Sequence, residues 1–193
     1  MANPLKVGVV VLLILYPFLI YFGLDYFKFK ASHLGLFFLA LFVLRIFFTK
    51  TKSKTARWQL IFTVVIGGTL ATLTWIFDSK EFLLWYPVGL STAFFLVFTM
   101  SIIFPPTIIE QIARPRNKDF PEVAVVHTRN VTIVWATFFG LNIIVSSWTV
   151  VYGGMEVWTL YNGLLSYIIV GILIGIEILV RRRMKKNYKQ KLP

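Results

Sequence analysis

The chain has 193 residues, of which 58% are hydrophobic and 15% are charged, and its formal net charge is +12. Soluble domains usually carry about 25% charged residues, and the apolar residues here come in runs of the length that a bilayer requires. These values exclude a soluble globular domain. The sequence contains no cysteine, which excludes disulfides, thiolate metal sites and cysteine nucleophiles.

Six apolar segments follow one another along the chain. The predicted spans are Leu5–Leu24, His33–Phe48, Trp58–Phe77, Phe82–Ile103, Arg129–Val151 and Trp158–Val180. Helices are the expected spanning form, because a backbone exposed to lipid must satisfy its own hydrogen bonds. We therefore predict an all-α, polytopic membrane helix bundle in which residues 1–193 form a single transmembrane domain that ends in a basic tail, residues 181–193.

The first half of the chain holds few polar residues, and its notable positions concern helix shape. The first segment follows Met1–Lys6, which resembles the start of a signal peptide. The segment is long and lacks a small-x-small cleavage site, so we expect a retained span. Pro17 and Pro87 are candidates for kinks, and Gly67-Gly68 for close helix packing. Arg45 lies near the end of the second span, from where a long side chain can reach the membrane interface.

The orientation follows from the distribution of lysine and arginine. Of the 20 basic residues, 17 fall on one side of the predicted spans, and only Lys28, Lys30 and Lys80 fall on the other. The positive-inside rule therefore places both termini in the cytoplasm. This distribution also explains the net charge as a feature of topology and of attraction to anionic lipid. A nucleic-acid partner is not predicted.

The loop between the fourth and fifth spans predicts a short helix. Thr107-x-x-Glu110 has the spacing of a capping box. An apolar face follows, which is formed by Ile108, Ile109, Ile112 and Ala113. Glu110 and Arg114 are spaced i, i+4 on another face. These features predict an amphipathic helix that lies on the inner leaflet. Asp119 is then expected to cap the next helix, with Pro121 in its first turn.

The fifth and sixth spans each carry a stripe at helical spacing. The stripe of the fifth span consists of Thr128, Thr132, Trp135, Phe139, Asn142 and Ser146. That of the sixth consists of Tyr167, Val170, Ile174, Glu177 and Arg181, beside the small-residue motif Gly171-x-x-x-Gly175. We predict an antiparallel hairpin through Gly153-Gly154. Asn142 would then lie at the depth of Tyr167, and Arg129 at the depth of Glu177, where an unpaired carboxylate would be costly.

Two interpretations of this polar content stay open. In the first, Arg129–Glu177 and Glu177–Arg181 are ion pairs that fix the fold, and the hairpin is held by polar contacts of Thr132, Trp135, Asn142 and Tyr167. In the second, a group of charged residues binds a headgroup at the inner leaflet, because arginine suits phosphate and carboxylate groups. This candidate site consists of Glu110, Arg114, His127, Arg129, Glu177 and Arg181.

Catalytic and cofactor motifs are missing from the sequence. It has no Gly-x-Ser-x-Gly elbow, no His-Glu-x-x-His helix, no P-loop and no dinucleotide fingerprint. Its two histidines fall on opposite sides of the predicted membrane, so no metal site and no cofactor is predicted. An enzyme that uses Glu110 or Glu177 with His127 as acid and base stays open as an alternative.

The stretch from Phe104 to Arg183 resembles a family of uncharacterised bacterial inner-membrane proteins. The matching motifs are Pro105-Pro106-Thr107-x-x-Glu110-x-x-Ala113-Arg114, His127-Thr128-Arg129, Val131-Thr132-x-x-Trp135, Phe138-Phe139-x-x-Asn142, Trp158-Thr159-Leu160-Tyr161-Asn162-Gly163, Glu177 and Val180-Arg181-Arg182-Arg183. Members resemble, more distantly, the intracellular septation protein A family. They are often encoded beside genes for fatty-acid or aryl-polyene biosynthesis. The resemblance implies a bacterial inner membrane and an accessory role in acyl-lipid or envelope chemistry.

The sequence thus predicts a non-enzymatic inner-membrane protein that binds or passes an acyl lipid or a related amphiphile. Its expected partners are membrane lipids and proteins of acyl-chain biosynthesis. Two alternatives stay open. A structural or interaction protein of the envelope or septum would co-purify with protein partners and bind no specific lipid. A small-solute transporter would show uptake into proteoliposomes.

Overall fold

The computed structural model describes residues 4–48, 54–114 and 120–190, and in these ranges the regular structure is entirely helical. The helices are α1 (Pro4–Ile14), α2 (Tyr16–Tyr21), α3 (Ala31–Phe48), α4 (Lys54–Phe77), α5 (Glu81–Leu84), α6 (Tyr86–Ile103), α7 (Ile108–Ala113), α8 (Glu122–Tyr152), α9 (Gly154–Leu160) and α10 (Ser166–Gln190). A π-helical turn, Phe22–Tyr26, extends α2, and a second one, Tyr161–Leu165, joins α9 to α10.

Within the described residues, five helical segments are long and apolar enough to cross a membrane. They are Ala31–Phe48, Leu60–Phe77, Glu81–Ile103, Glu122–Tyr152 and Gly154–Met184. A sixth candidate is broken, because Val7–Ile14 and Tyr16–Tyr26 meet at an angle of 65°. The prediction of an all-helical protein with several membrane-length apolar helices is therefore confirmed.

The helix that carries the fifth predicted span starts before the span itself, as the predicted cap at Asp119 and first turn at Pro121 imply. It begins at Glu122, and Pro121 occupies the N-cap position in an extended conformation rather than the first turn. Asp119, the predicted cap, lies outside the described residues. The turns before Arg129 carry Glu122 and His127. His127 therefore sits on the same continuous helix as Asn142.

The bend in the first span has a local cause. Pro17 follows the break between α1 and α2, and proline lacks the N–H that would continue the helical ladder. The Phe18 N–H donates to the carbonyl of Leu15 rather than to that of Ile14. The Ile14 carbonyl instead accepts a hydrogen bond from the Tyr167 hydroxyl on α10, at 2.9 Å. The neighbouring helix thus satisfies a backbone group that the kink has freed.

The six segments pack in a ring that follows their order in the sequence. α1 contacts α3, α3 pairs with α4, α4 contacts α6, α6 pairs with α8, α8 contacts α9, and α9 returns to α2. Large apolar and aromatic side chains fill the interior, among them Ile20, Phe38 and Trp158. Tyr16 and Tyr86 meet edge to face there, with their ring centroids 4.9 Å apart. We call one end of the ring the basic end, because it carries Arg45, Arg114, His127 and Arg181.

The interior of the ring is closely packed. One cavity of about 10 Å³ lies between Tyr16, Phe38, Phe42, Gly67 and Tyr86, and such a volume holds about one water molecule. The Tyr16 hydroxyl is buried, and no described group forms a hydrogen bond with it. This cavity, which lies in the described part of the chain, is therefore too small for an organic ligand.

Asp78 ties the far end of α4 to the start of α3. Its Oδ1 atom accepts the N–H of Ser32 at 2.7 Å, one of the first amides of α3, which have no partner within their own helix. This hydrogen bond, together with one from the Ser32 side chain and the nearby charge of Lys30, lowers the pKa of Asp78 below its ordinary value of 3.8. The ionised carboxylate therefore stabilises the folded chain.

Because the folded pKa of Asp78 is depressed, its contribution is present above the unfolded pKa and is lost as the pH falls through the folded pKa. We expect the thermal unfolding midpoint of the wild type in detergent to fall as the pH is lowered below about 4. Asp78→Asn keeps an acceptor but not the charge, and should show a shallower fall. Glu156→Gln, an exposed change, is the control. Equal slopes for wild type and Asp78→Asn would refute this role.

Candidate functional site

Thr107 caps helix α7 as the sequence predicts. Its Oγ1 atom accepts the N–H of Glu110 at 3.4 Å. The helix is only six residues long, and both Ile108 and Glu110 are buried. Ile108 packs against Phe98 of α6 and Ala136 of α8. The buried face of α7 thus contacts the protein and includes Glu110, which was predicted on a different face from the isoleucines, while Ile112 stays exposed.

Glu110 is matched by a cation within its own segment. Its side chain is almost fully buried, and its Oε1 atom accepts from Arg114 Nε at 2.7 Å and lies 2.6 Å from Arg114 Nη2. The guanidinium also lies over the ring of Phe120, 5.2 Å from its centroid. A buried carboxylate without such a partner would be strongly disfavoured. The pair therefore neutralises the buried carboxylate, and the same guanidinium links the end of α7 to Phe120.

A second charged group joins α8 to α10 at the basic end. Oε1 of Glu177 lies 4.0 Å from His127 Nε2 and 3.5 Å from Arg181 Nε. Nε2 of His127 is buried, and no group of the described residues forms a hydrogen bond with it. An imidazole, a carboxylate and a guanidinium thus converge at the basic end.

The predicted Arg129–Glu177 ion pair is not found. Arg129 is exposed. Among the described residues, Glu177 forms its ion pairs with His127 and Arg181 instead. The reason is helical geometry, because residues two apart point to nearly opposite sides of a helix. When His127 faces α10, Arg129 faces away from it.

The six predicted headgroup residues therefore form two groups and one outlier. Glu110 pairs with Arg114, and His127 and Arg181 meet at Glu177. Within residues 7–48, 60–114 and 120–184, no hydrogen bond or ion pair joins the first group to the second. We refer to His127, Glu177 and Arg181 as the α8–α10 cluster.

The predicted hairpin contacts have other partners. Asn142 donates to Ser91 Oγ on α6 at 2.8 Å and accepts from the Tyr161 hydroxyl at 2.9 Å. Tyr167 contacts Ile14 rather than Asn142. Two further residues of the stripe make contacts within or beside α8. Thr132 donates a hydrogen bond to the Thr128 carbonyl within α8. Trp135 packs against the rings of Phe98 and Phe139. The π-helical turn explains the mismatch, because its extra residue rotates everything after it.

Asn162 lies at the centre of a buried polar network and was not among the predicted polar contacts. Its Oδ1 atom accepts from Ser146 Oγ at 2.7 Å, and its Nδ2 atom donates to Thr149 Oγ1 at 3.2 Å and to the Trp158 carbonyl at 3.0 Å. All four residues are buried. The spacing Ser146-x-x-Thr149, on the same face as Asn142, is the signal that could have indicated a polar partner on the next helix.

Gly163 brings the two irregular segments together. A Cβ atom at this position would lie 3.1 Å from the Phe18 ring and 3.3 Å from Pro17 Cβ. The break of the first span and the π-helical turn of the last therefore pack directly against each other. With its satisfied hydrogen bonds, the Tyr161-Asn162-Gly163 segment is a packing element in this structure.

Beyond this contact, α10 is loosely held. None of the side chains from Leu164 to Met184 is buried. A Cβ atom added at Gly171 or Gly175 would meet nothing within 4 Å. The small-residue motif is thus not used in any described contact. Two polar contacts link the described part of α10 to other helices. One is made by Tyr167, and the other by the α8–α10 cluster.

The described residues contain no group of three or more histidine, aspartate or glutamate side chains that could hold a metal ion. Comparison with known proteins offers no identity either. No protein-family model matches the chain, and neither a curated protein nor a solved structure matches it.

Proposed function

We propose that this chain is a six-span bacterial inner-membrane protein, with both termini in the cytoplasm, that binds or passes an anionic amphiphile such as an acyl lipid without altering it chemically. The bias of basic residues towards one side supports the orientation. The family resemblance of residues 104–183 supports an accessory role in envelope lipid or aryl-polyene chemistry.

The observation that carries the proposal is the setting of the α8–α10 cluster. Ion pairs that fix a fold usually join helices that also pack tightly. Here the cluster joins α8 to a helix whose side chains from Leu164 to Met184 are all unburied. A carboxylate and two cationic or protonatable groups at such a position are costly unless they serve a further purpose. We infer that the purpose is to hold a headgroup at the inner leaflet.

The cluster offers chemistry that suits an anionic headgroup. Arg181 is half exposed and faces Glu177 through Nε, so its terminal N–H groups stay available for a bidentate contact with phosphate or carboxylate. His127 supplies a further donor from Nε2 when it is protonated. Acyl chains would run along the exposed apolar side chains of α10, such as Ile172 and Leu179.

Arg181→Ala is expected to weaken the binding of phosphatidylglycerol to delipidated protein about tenfold, or by about 1.4 kcal/mol. His127→Ala should weaken it less, because only its protonated form contributes a charge. Native mass spectrometry in neutral detergent measures both, with phosphatidylcholine as the uncharged comparison lipid.

Arg183→Ala is the matched control for this measurement. It removes the same charge, two residues away, from a side chain that is exposed. We expect less than a twofold change. Equal losses for Arg181→Ala and Arg183→Ala would mean that the basic tail attracts lipid without a site, and the proposal would be wrong.

In cells, we expect deletion of the gene to alter the envelope lipid profile and Arg181→Ala to reproduce part of the change. Whole-envelope lipidomics measures it, and complementation with Arg183→Ala serves as the control. If deletion leaves the lipid profile unchanged, the role in passing an amphiphile must be abandoned, even if binding in detergent persists.

One observation favours a second candidate, a small-solute transporter. Transporters often place substrate sites where discontinuous helices meet near the middle of the membrane. In this chain the bent first span and the π-helical turn of the last span meet at Gly163 and Phe18. Uptake into proteoliposomes would distinguish this candidate, since a lipid-binding accessory protein would show none.

A further inference from the structure

One carboxylate oxygen of the α8–α10 cluster faces two nitrogen atoms. Oε1 of Glu177 lies 4.0 Å from His127 Nε2 and 3.5 Å from Arg181 Nε. The side chains of His127 and Glu177 are only 13% and 23% exposed, whereas that of Arg181 is half exposed. The guanidinium is thus the member of the cluster that is most open to a headgroup, and the imidazole is the least open.

Imidazole is the group in this cluster that changes its charge near neutral pH. Carboxyl groups ordinarily titrate below this range and guanidinium groups far above it, whereas histidine ordinarily titrates between about pH 5 and 8. With a neutral imidazole, the charges of Glu177 and Arg181 balance each other. With a protonated imidazole, the cluster carries one positive charge in excess, and the same carboxylate oxygen faces two cations.

The elements around His127 supply no second group of this kind. The sequence contains one other histidine, His33, and no cysteine. His33 lies at the start of α3, at the opposite end of that helix from Arg45. α6 carries no charged residue. The other described charged residues on α8, on the elements that contact it and on α10 are Glu110, Arg114, Glu122, Arg129, Glu156, Arg182 and Arg183.

We propose that protonation of His127 strengthens the binding of an anionic headgroup at Arg181, so that the cluster binds its lipid more weakly as the pH rises. This inference rests on the proposed function and adds the regulation of the same site. Two effects act in the same direction. The imidazolium adds a positive charge beside the headgroup, and it attracts the oxygen of Glu177 that Arg181 contacts, which leaves the guanidinium more available to an anion.

The test measures the binding of phosphatidylglycerol to the delipidated full chain by native mass spectrometry in neutral detergent. Binding is compared at about pH 5.5 and about pH 8, on either side of the middle of the range in which imidazole titrates. The phosphodiester of the probe keeps a single negative charge at both values. We expect the wild type to bind about fivefold more tightly at the lower pH, the effect of one added charge at a partly solvated site. Phosphatidylcholine should show no such difference.

Two variants of His127 should remove the pH dependence in opposite ways. His127→Gln keeps a polar side chain that does not titrate, and should bind at both pH values as weakly as the wild type does at the higher one. His127→Lys is charged at both pH values, and should bind at both as tightly as the wild type does at the lower one. A general loss of structure cannot produce both results. His33→Gln is the matched control, because His33 is exposed, and it should keep the full pH dependence.

The outcomes separate this regulation from the lipid site itself. If the wild type binds phosphatidylglycerol equally at both pH values while Arg181→Ala still weakens binding, the regulation is refuted and the lipid site stands. Full pH dependence in His127→Gln, or its loss in His33→Gln, also refutes the regulation. If Arg181→Ala and Arg183→Ala weaken binding equally at both pH values, the proposed function fails, and the role of His127 fails with it.

Discussion

Gly35→Ala is expected to lower the free energy of unfolding by about 2 kcal/mol. At this glycine α3 and α4 approach so closely that a Cβ atom would lie 2.7 Å from the backbone nitrogen of Trp75 and 2.8 Å from the carbonyl oxygen of Ala71. Both atoms belong to backbone, which cannot turn aside as a side chain would. The two helices must therefore separate. Denaturation in a dodecyl sulfate titration, followed by circular dichroism, measures the loss.

Gly68→Ala is the control for this prediction. Gly68 lies on α4, and a Cβ atom there would meet nothing within 4 Å. Alanine has the higher helix propensity by up to about 1 kcal/mol, so this variant should be as stable as the wild type or slightly more stable. If both variants behaved alike, the close approach of α3 and α4 at Gly35 would be wrong.

Asn162→Leu is expected to cost about 3 kcal/mol of unfolding free energy. The leucine keeps the volume but removes the hydrogen bonds to Ser146, Thr149 and the Trp158 carbonyl. Hydrogen bonds between helices in membranes are worth about 0.6 kcal/mol on average and up to about 1.7. The buried hydroxyls of Ser146 and Thr149 would in addition lose a partner. The same denaturation assay applies.

Asn130→Leu makes the same chemical change on the exposed side of α8. We expect it to change stability by less than about 0.5 kcal/mol. A small effect at both positions would show that the network around Asn162 does not hold α9 to α8. A double change, Ser146→Ala with Asn162→Leu, should cost little more than Asn162→Leu alone, because both remove one shared contact.

The sequence correctly predicts those features that depend only on residues within one helix. The hydropathy of residues 33–48 predicts a helix that is observed at Ala31–Phe48. The capping spacing at Thr107 predicts the hydrogen bond to Glu110. Both depend on neighbours within a few positions, which a sequence displays directly.

Contacts between helices were predicted less well, because a small rotation changes every partner. The π-helical turn at Tyr161–Leu165 adds a residue to its turn, so Tyr167 contacts Ile14 instead of Asn142. On α8, His127 rather than Arg129 faces Glu177, because residues two apart lie on nearly opposite sides of a helix. A hydropathy pattern does not predict a π-helical turn. The bend near Pro17 was foreseeable as a kink, but its bonding to α10 was not.

Arg45 shows a related limit of prediction from sequence. Its position in the last turn of α3 is equally compatible with a side chain that reaches water and with one whose inner part is enclosed, and in the structure its Nε atom is buried. The choice depends on the shapes of neighbouring helices, which are far away in the sequence. A charge near a helix end is therefore ambiguous until the packing around it is known.

The loose packing of α10 bears on how the protein is assembled. Every buried side chain of the described residues lies at or before Gly163, and synthesis proceeds from the N-terminus. The core can therefore close before the final helix has left the ribosome. The last helix is apolar enough to reside in lipid by itself and does not have to pack into the core. The buried core and the unburied final helix thus occupy different stretches of the chain.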